Sequence, residues 1–339
     1  MPSLLRQTAR SIRHTYRKGE WEREYLARRP RFSNAVSQEI GDEMAAHGMS
    51  SPFGTFIYTT QNVGDEIQTV AQLGFIPDGQ DVRAVNRDHV AEYEGPRRTF
   101  IMNGWFSHEW WLWPPSDDVA PIFYSFHIAR DALADPKHAA YYRSQGPIGC
   151  RDVSTVEKLQ RIGVDAYFSG CCTLTLQNPH PESERGEQVV IADAHLSNSG
   201  EYPPPASDLL EKFVPEEVRR EATYVEHEVK PRDATNYRGK TQTALDRLDL
   251  YARAKLVITS RLHVALPCLA LGTPVVFLNR LWETDPRFEG YRDIIPGYGP
   301  DDDEVNVDWD RPVPKDISAF RDQVVGGLAQ KVREHVGLL

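Results

Sequence analysis

From Phe53 onward, short β-branched and aromatic runs alternate with stretches whose apolar residues recur at helical spacing. The runs predict strands at FGTFIYT (53–59), RTFIMN (98–103), PIFYSF (121–126), PIGC (147–150) and AYFSG (166–170), with helices over DEIQTVAQLGF and STVEKLQRIG. The polar, turn-rich segment NPHPESERGEQ (178–188) breaks this pattern and reads as a linker between domains. The pattern then restarts with VVIADA (189–194), ATYVEHEV (222–229), KLVITS (255–260) and PVVFL (274–278), and the amphipathic stretch 317–336 predicts a closing helix. Strands alternating with helices predict an α/β fold of two Rossmann-like domains facing each other across a cleft, with ligands at the carboxyl ends of the strands. The expected units are a basic N-terminal helical segment (1–50), a first domain (51–177), a second domain (188–316) and a C-terminal helix (317–339).

Composition narrows the class. At the usual ~150 residues per domain, 339 residues suit two domains. Apolar residues at 40% and charged residues at 26% argue against a disordered, collagen-like or coiled-coil chain. The net charge of −10 argues against nucleic acid as a partner but leaves room for one basic anion pocket. No run approaches the ~20 apolar residues of a membrane helix, and the start lacks the apolar core of a secretory signal, so a cytoplasmic protein is expected. Cys150, Cys171, Cys172 and Cys268 lack zinc-binding spacing and are expected to be buried free thiols.

Charge is uneven along the chain. The first 31 residues carry nine basic residues (Arg6, Arg10, Arg13, Arg17, Lys18, Arg23, Arg28, Arg29, Arg31) against Glu20, Glu22 and Glu24. A solvated helix on the acidic body, a helix at an anionic membrane surface, a transit peptide and a lid over an anionic substrate all fit. The acidic run 301–310 reads as a solvated loop, with a contact to the basic segment as the alternative.

Four segments could carry chemistry. In SRLHVALPCLALGTPVV (260–276) a strand ends where a helix starts, placing Arg261 and His263 at a helix N-terminus that favours an anion, phosphate above all. Pro267, four residues after His263, should kink that helix. In GPIGCRDVSTVEKLQRIG (146–163) a strand ends at Arg151, which either points to the cleft or pairs with Asp152, and Ser154-x-x-Glu157 reads as a capping box. In TTQNVGDEIQTVAQL (59–73) Asn62, Gly64, Asp65 and Glu66 follow the first strand, where acids also suit the helix dipole without any catalytic role. NGWFSHEWWLWPPS (103–116) gathers Asn103, Trp105, Trp110, Trp111 and Trp113 for sugar stacking, core packing or a subunit contact. His108, His127 and His195 are further candidate bases. Neither a G-x-G-x-x-G fingerprint nor a P-loop occurs.

With both arginine segments in view, the chain resembles the polysaccharide pyruvyl transferase family over about 62–276, through QNVGDEIQTVA, IMNGWFSHEWWLWPPS, FYSFHI, the Arg151 segment and SRLHVALPCLALGTPVV. The resemblance implies a GT-B-like fold and transfer of a pyruvyl group from phosphoenolpyruvate to two hydroxyls of a sugar, without nucleotide, metal or other cofactor. It also implies a role in polysaccharide or cell-envelope biosynthesis, with a glycan or lipid-linked sugar as acceptor. By the same resemblance Arg151, Arg261 and His263 match phosphoenolpyruvate-binding positions, with Leu262 contributing its backbone. Where relatives carry Gly-Gln-Gly this chain has Ser125, Phe126 and His127, and Gly170, Cys171 and Cys172 stand where Asp-Pro is frequent. Roles assigned on this basis are anion binding for Arg151 and Arg261, proton transfer for His263, and activation of the acceptor hydroxyl by Asp65 or Glu66 with His127. Asn62, Gly64, Asn103 and Trp105 are expected to contact substrate. Contact with the inner membrane face and a homo-oligomer are further expectations. A nucleotide-sugar glycosyltransferase and a non-catalytic sugar- or anion-binding protein remain alternatives.

Overall fold

The computed structural model describes residues 13–26, 30–196 and 205–339. Arg6, Arg10, Arg28 and Arg29 of the basic segment lie outside the described residues. The described part of that segment is helical and buries Trp21 and Tyr25 against Ile57, Ala84 and Tyr237, with the Trp21 indole donating to Thr241 Oγ1 at 2.7 Å. One face of the basic helix is therefore packed rather than wholly solvated.

The architecture is α/β, Rossmann-like, with parallel sheets. In the first half β1 (Phe53–Ile57), β2 (Val82–Asn86), β3 (Arg98–Ile101) and β5 (Val119–Ile122) pair in the order β2-β1-β3-β5. Two of these continue after short breaks as β4 (Gly104–Trp105) and β6 (Phe126–His127), which pair with β7 (Ile148–Cys150) and β8 (Ala166–Phe168) in the order β4-β6-β7-β8. The breaks coincide with positive φ at Gly104 (119°) and Ser125 (59°), where the ladder must bend. PIFYSF is consequently two strand pieces, not one.

The second half holds β9 (Val189–Ala192), β10 (Thr223–Val225), β11 (Leu256–Thr259), β12 (Val275–Leu278) and β13 (Gly297–Tyr298) in the order β10-β9-β11-β12-β13. Both halves thus place their second strand outside their first and their third on its other side. This order reversal opens a crevice beyond the carboxyl ends of β1 and β3, and another beyond β9 and β11. Strand β2 had no counterpart among the predicted segments, because VRAVN is only half-buried and carries Arg83 and Asn86.

One apolar core runs through both halves, from Phe53 and Ile101 to Val190, Val257 and Phe277. The expected linker is tied down: Asn178 Nδ2 donates to the Leu271 carbonyl and Arg185 to the carbonyls of Ala254 and Gly272. The last helix, Ser318–Val336, returns to the first half, where the Tyr124 hydroxyl donates to the Val324 carbonyl at 3.0 Å and Arg333 forms an ion pair with Glu43. The acidic run 301–310 is mostly exposed loop. All four cysteines are buried and free. Among the described residues no helix is long and apolar enough to cross a membrane.

Candidate functional site

The loops after β1, β3, β7, β10 and β11 converge on a pocket of about 90 Å³ lined from both halves, by Asn62, Asp65, Gln68, Trp105, Arg151 and Asp152 on one side and His227, Ser260, Arg261, Leu262, His263, Arg287 and Phe288 on the other. An antiparallel bridge between Asn62 and Glu228 joins the halves beside it, with the Val63 amide donating to the His227 carbonyl. A second, open groove of about 1270 Å³ runs along β2 and the N-terminal helix, past Arg13, Arg17, Arg83 and His89.

Arg151 follows β7, and its amide donates to the Phe126 carbonyl while its own carbonyl accepts from Tyr291. The side chain is 5% exposed, and Nη1 lies 3.4 Å from both Gln68 Oε1 and His263 Nε2. Among the described residues no carboxylate forms an ion pair with it. Asp152, the alternative partner, is engaged elsewhere: Oδ2 lies 2.5 Å from His127 Nδ1, and Oδ1 accepts from Ser154 Oγ and the Thr155 amide. Asp152 is therefore the N-cap of the helix Val153–Arg161, which corrects the expected Ser154-x-x-Glu157 box: Ser154 lies inside the helix.

Arg261 is the N-cap of the helix Leu262–Ala270. Its Nε donates to Asp193 and Nη2 to Glu228 at 2.9 Å, so these two contacts leave three of the five guanidinium N–H groups for other acceptors. Asp193, at φ 59°, also accepts from the His227 amide at 2.8 Å, and so positions both residues. The helix leaves regular geometry at His263 (φ −81°, ψ 18°), four residues before Pro267, where proline removes the amide that would hold the turn.

His263 borders the pocket with Nε2 toward Arg151 and Cys171, and burial, followed by the Arg151 cation, pushes its pKa down to about 3. A guanidinium only donates, so Nε2 accepts and the imidazole is neutral. Burial raises the Asp65 carboxyl, but Arg87 at 3.1 Å and the Thr60 hydroxyl outweigh it and hold Asp65 ionised at the pocket wall.

The remaining predicted residues separate. Asn62 and Gly64 form the entry turn, the Gly64 amide donating to Asn62 Oδ1 at 2.9 Å. A Cβ on Gly64 would lie 3.0 Å from His263 Cβ, so glycine permits the close approach of the two helix starts. Trp105 forms a wall and stacks on His108. Glu66 faces away from this pocket and binds the buried Lys240 ammonium at 2.8 Å, so the expected hydroxyl activation is reassigned to a structural ion pair. His127 is fully buried behind Trp105, whose ring meets it edge-on at 5.6 Å, and is held by Asp152 outside the pocket lining. Asn103 donates to the Gln68 carbonyl in the core. Trp113 packs in the first-half core, whereas Trp110 and Trp111 are exposed against each other. His195 stacks edge-on with Tyr224, away from the site.

Sequence reading missed His227, Gln68 and Arg287. The usable signal for His227 was its strand: β10 pairs with β9, so residues after β10 emerge at the same carboxyl edge as Asp193.

A family model described as polysaccharide pyruvyl transferase matches residues 62–280. No curated protein matches the chain. Among solved structures, an uncharacterized protein from Klebsiella pneumoniae is similar at 12% identity and TM-score 0.41, covering 75% of this chain and 94% of its own. A protein from Listeria monocytogenes named as a candidate UDP-N-acetylglucosamine 2-epimerase is similar at 13% identity and TM-score 0.31, covering 88% of this chain and 71% of its own.

Proposed function

The chain belongs to the polysaccharide pyruvyl transferase family, and from that premise we propose that its pocket binds phosphoenolpyruvate and passes the pyruvyl group to two hydroxyls of one sugar unit in a glycan. The observation that carries this reading is Arg151, a cation buried without a carboxylate partner among the described residues, at a pocket it shares with Arg261. An uncompensated buried charge is costly, and an anion relieves that cost. At about 90 Å³ the pocket is small beside the ~300 Å³ at the low end of drug-sized ligand sites, which supports a small anion as its occupant. A GT-B-like placement of the two halves, with the donor between them, is part of the same reading.

In the proposed reaction Arg261, the Leu262 amide and the helix start hold the phosphate, while Arg151 holds the carboxylate. Entry of a polyanion beside Arg151 and Arg261 raises the His263 pKa, so the imidazole takes a proton on binding and delivers it to C3 of the enol. The C2 cation so formed is attacked by one sugar hydroxyl, whose proton passes to Asp65. The C2–O bond to phosphate then breaks, and the second hydroxyl closes the ketal. One proton is consumed at C3 and two leave the hydroxyls, so one proton is released with phosphate.

The test is a thermal-unfolding series with phosphoenolpyruvate and with UDP-sugars, for the unmodified protein and Arg261→Ala. Stabilisation by phosphoenolpyruvate that disappears in the variant supports the reading. Stabilisation by a nucleotide sugar alone overturns it.

A further inference from the structure

Two buried imidazoles near the pocket have a ring nitrogen without a hydrogen-bond partner, Nε2 of His127 and Nε2 of His227. The proton each carries follows from what holds its Nδ1. Asp152 is an acceptor, so His127 is protonated on Nδ1 and its Nε2 is a bare acceptor behind Trp105. His227 has the opposite arrangement. Its Nδ1 lies 3.3 Å from the Tyr251 hydroxyl, and burial keeps that phenol protonated. Donation from Tyr251 to Nδ1 leaves no buried O–H unsatisfied, and it puts the His227 proton on Nε2.

The residue that carries that nitrogen is held firmly at the pocket. His227 is fully buried and lines the pocket, its amide donates to Asp193 Oδ1, and its carbonyl accepts from Val63. Asp193 also holds Arg261, so one carboxylate fixes the Arg261 guanidinium and the His227 backbone beside the same pocket. Gly64 keeps the approach to Nε2 open, since a Cβ there would stand 3.5 Å from it. Burial, then Arg261 and His263, keep the ring uncharged.

We propose that His227 is a neutral hydrogen-bond donor to the donor substrate: Nε2–H meets an oxygen of the three-carbon anion held by Arg151 and Arg261. The inference rests on the phosphoenolpyruvate reading for the identity of the anion, though not for the tautomer. The buried N–H gains its partner only in the bound state, so the residue contributes to affinity for oxyanions rather than to the stability of the fold.

The test combines ¹⁵N-histidine NMR of the free protein with calorimetric titration of phosphoenolpyruvate, and of inorganic phosphate, into the unmodified protein, His227→Phe, His227→Gln and Tyr251→Phe. The expected results are an Nε2-protonated neutral ring whose Nε2 signal moves on ligand addition, and an affinity about tenfold to a hundredfold weaker in His227→Phe. His227→Gln, whose amide reaches the same side, recovers part of the loss, and Tyr251→Phe weakens binding less while shifting the tautomer toward Nδ1–H. An Nδ1-protonated ring in the free protein overturns the proposal, as does equal affinity in His227→Phe. If the unmodified protein binds phosphate but not phosphoenolpyruvate, the functional reading fails and the phosphate affinities alone decide the role of His227. Should His227→Phe not fold, the labelled protein and His227→Gln decide it.

Discussion

A guanidinium that is 5% exposed and forms no ion pair with a described carboxylate should trade stability for binding, and Arg151 makes that exchange measurable. Arg151→Met is expected to match or exceed the unmodified protein in stability without ligand, because an uncompensated buried charge is replaced by an apolar side chain of similar length. With phosphoenolpyruvate at about 100 times Kd, the unmodified protein should gain ~2.7 kcal/mol and the variant none, as read by denaturant melts with and without ligand. A ligand-free variant several kcal/mol less stable would mean that the arginine is chiefly structural. His263 makes a different prediction. His263→Ala should retain most binding but lose about 10²–10⁴-fold in kcat, and binding to the unmodified protein should take up protons, seen as a dependence of calorimetric enthalpy on the buffer. An enthalpy independent of the buffer would remove His263 from proton transfer.

At the scale of elements, the site is built from strand ends and helix starts that must approach closely. Gly64→Ala puts a methyl group 3.0 Å from His263 Cβ and Asn62 Oδ1, so kcat/KM should fall at least tenfold while far-UV circular dichroism is retained; unchanged turnover would show that the two helix starts part freely. The helix Gly64–Leu73 is also fastened to the helix Tyr237–Arg253 by the buried Glu66–Lys240 pair. Lys240→Met should therefore cost about 3–5 kcal/mol, measured by urea unfolding, since it strands a buried carboxyl; a loss below about 1 kcal/mol would place the pair outside the structural frame. Elements with apolar cores were legible in the sequence, and so was the placement of Arg151, Arg261 and His263 at the pocket, because they lie within four residues of the ends of such strands. Glu66 was misread because helix dipole and burial select the same residue type at a helix start, and only the partner, 174 positions along at Lys240, tells them apart. The strand of His227 pointed to the right sheet edge, but its role depends on Tyr251 and Asp193, contacts that no local spacing encodes.

The whole molecule carries these buried imidazoles as an acid liability. In the folded state the pKa values of His127 and His263 are pushed down to about 4 and about 3 by burial, and that of His227 lies well below its usual value. The unfolded chain therefore binds protons first as pH falls below ~6.5, and stability declines at about 1.4 kcal/mol per pH unit for each imidazole. Glu66, which burial pushes up to about 7, is protonated in the folded state first and offsets one of the three. Urea melts between pH 7.5 and 4.5 should show stability falling as pH falls; a flat profile would contradict the neutral assignments.

The return of helix Ser318–Val336 to the first half has a consequence for biosynthesis. Gly170, at φ 74°, lies so close to Val324 that a Cβ would meet it at 2.9 Å, so this helix completes a surface of the half that leaves the ribosome first. The first half must wait, with Tyr124 and Gly170 uncovered, until the second has been translated. A nascent chain that has emerged only as far as Ser318 therefore holds all three sheets yet a first half without its cover, and chaperone engagement should persist until the helix Ser318–Val336 emerges.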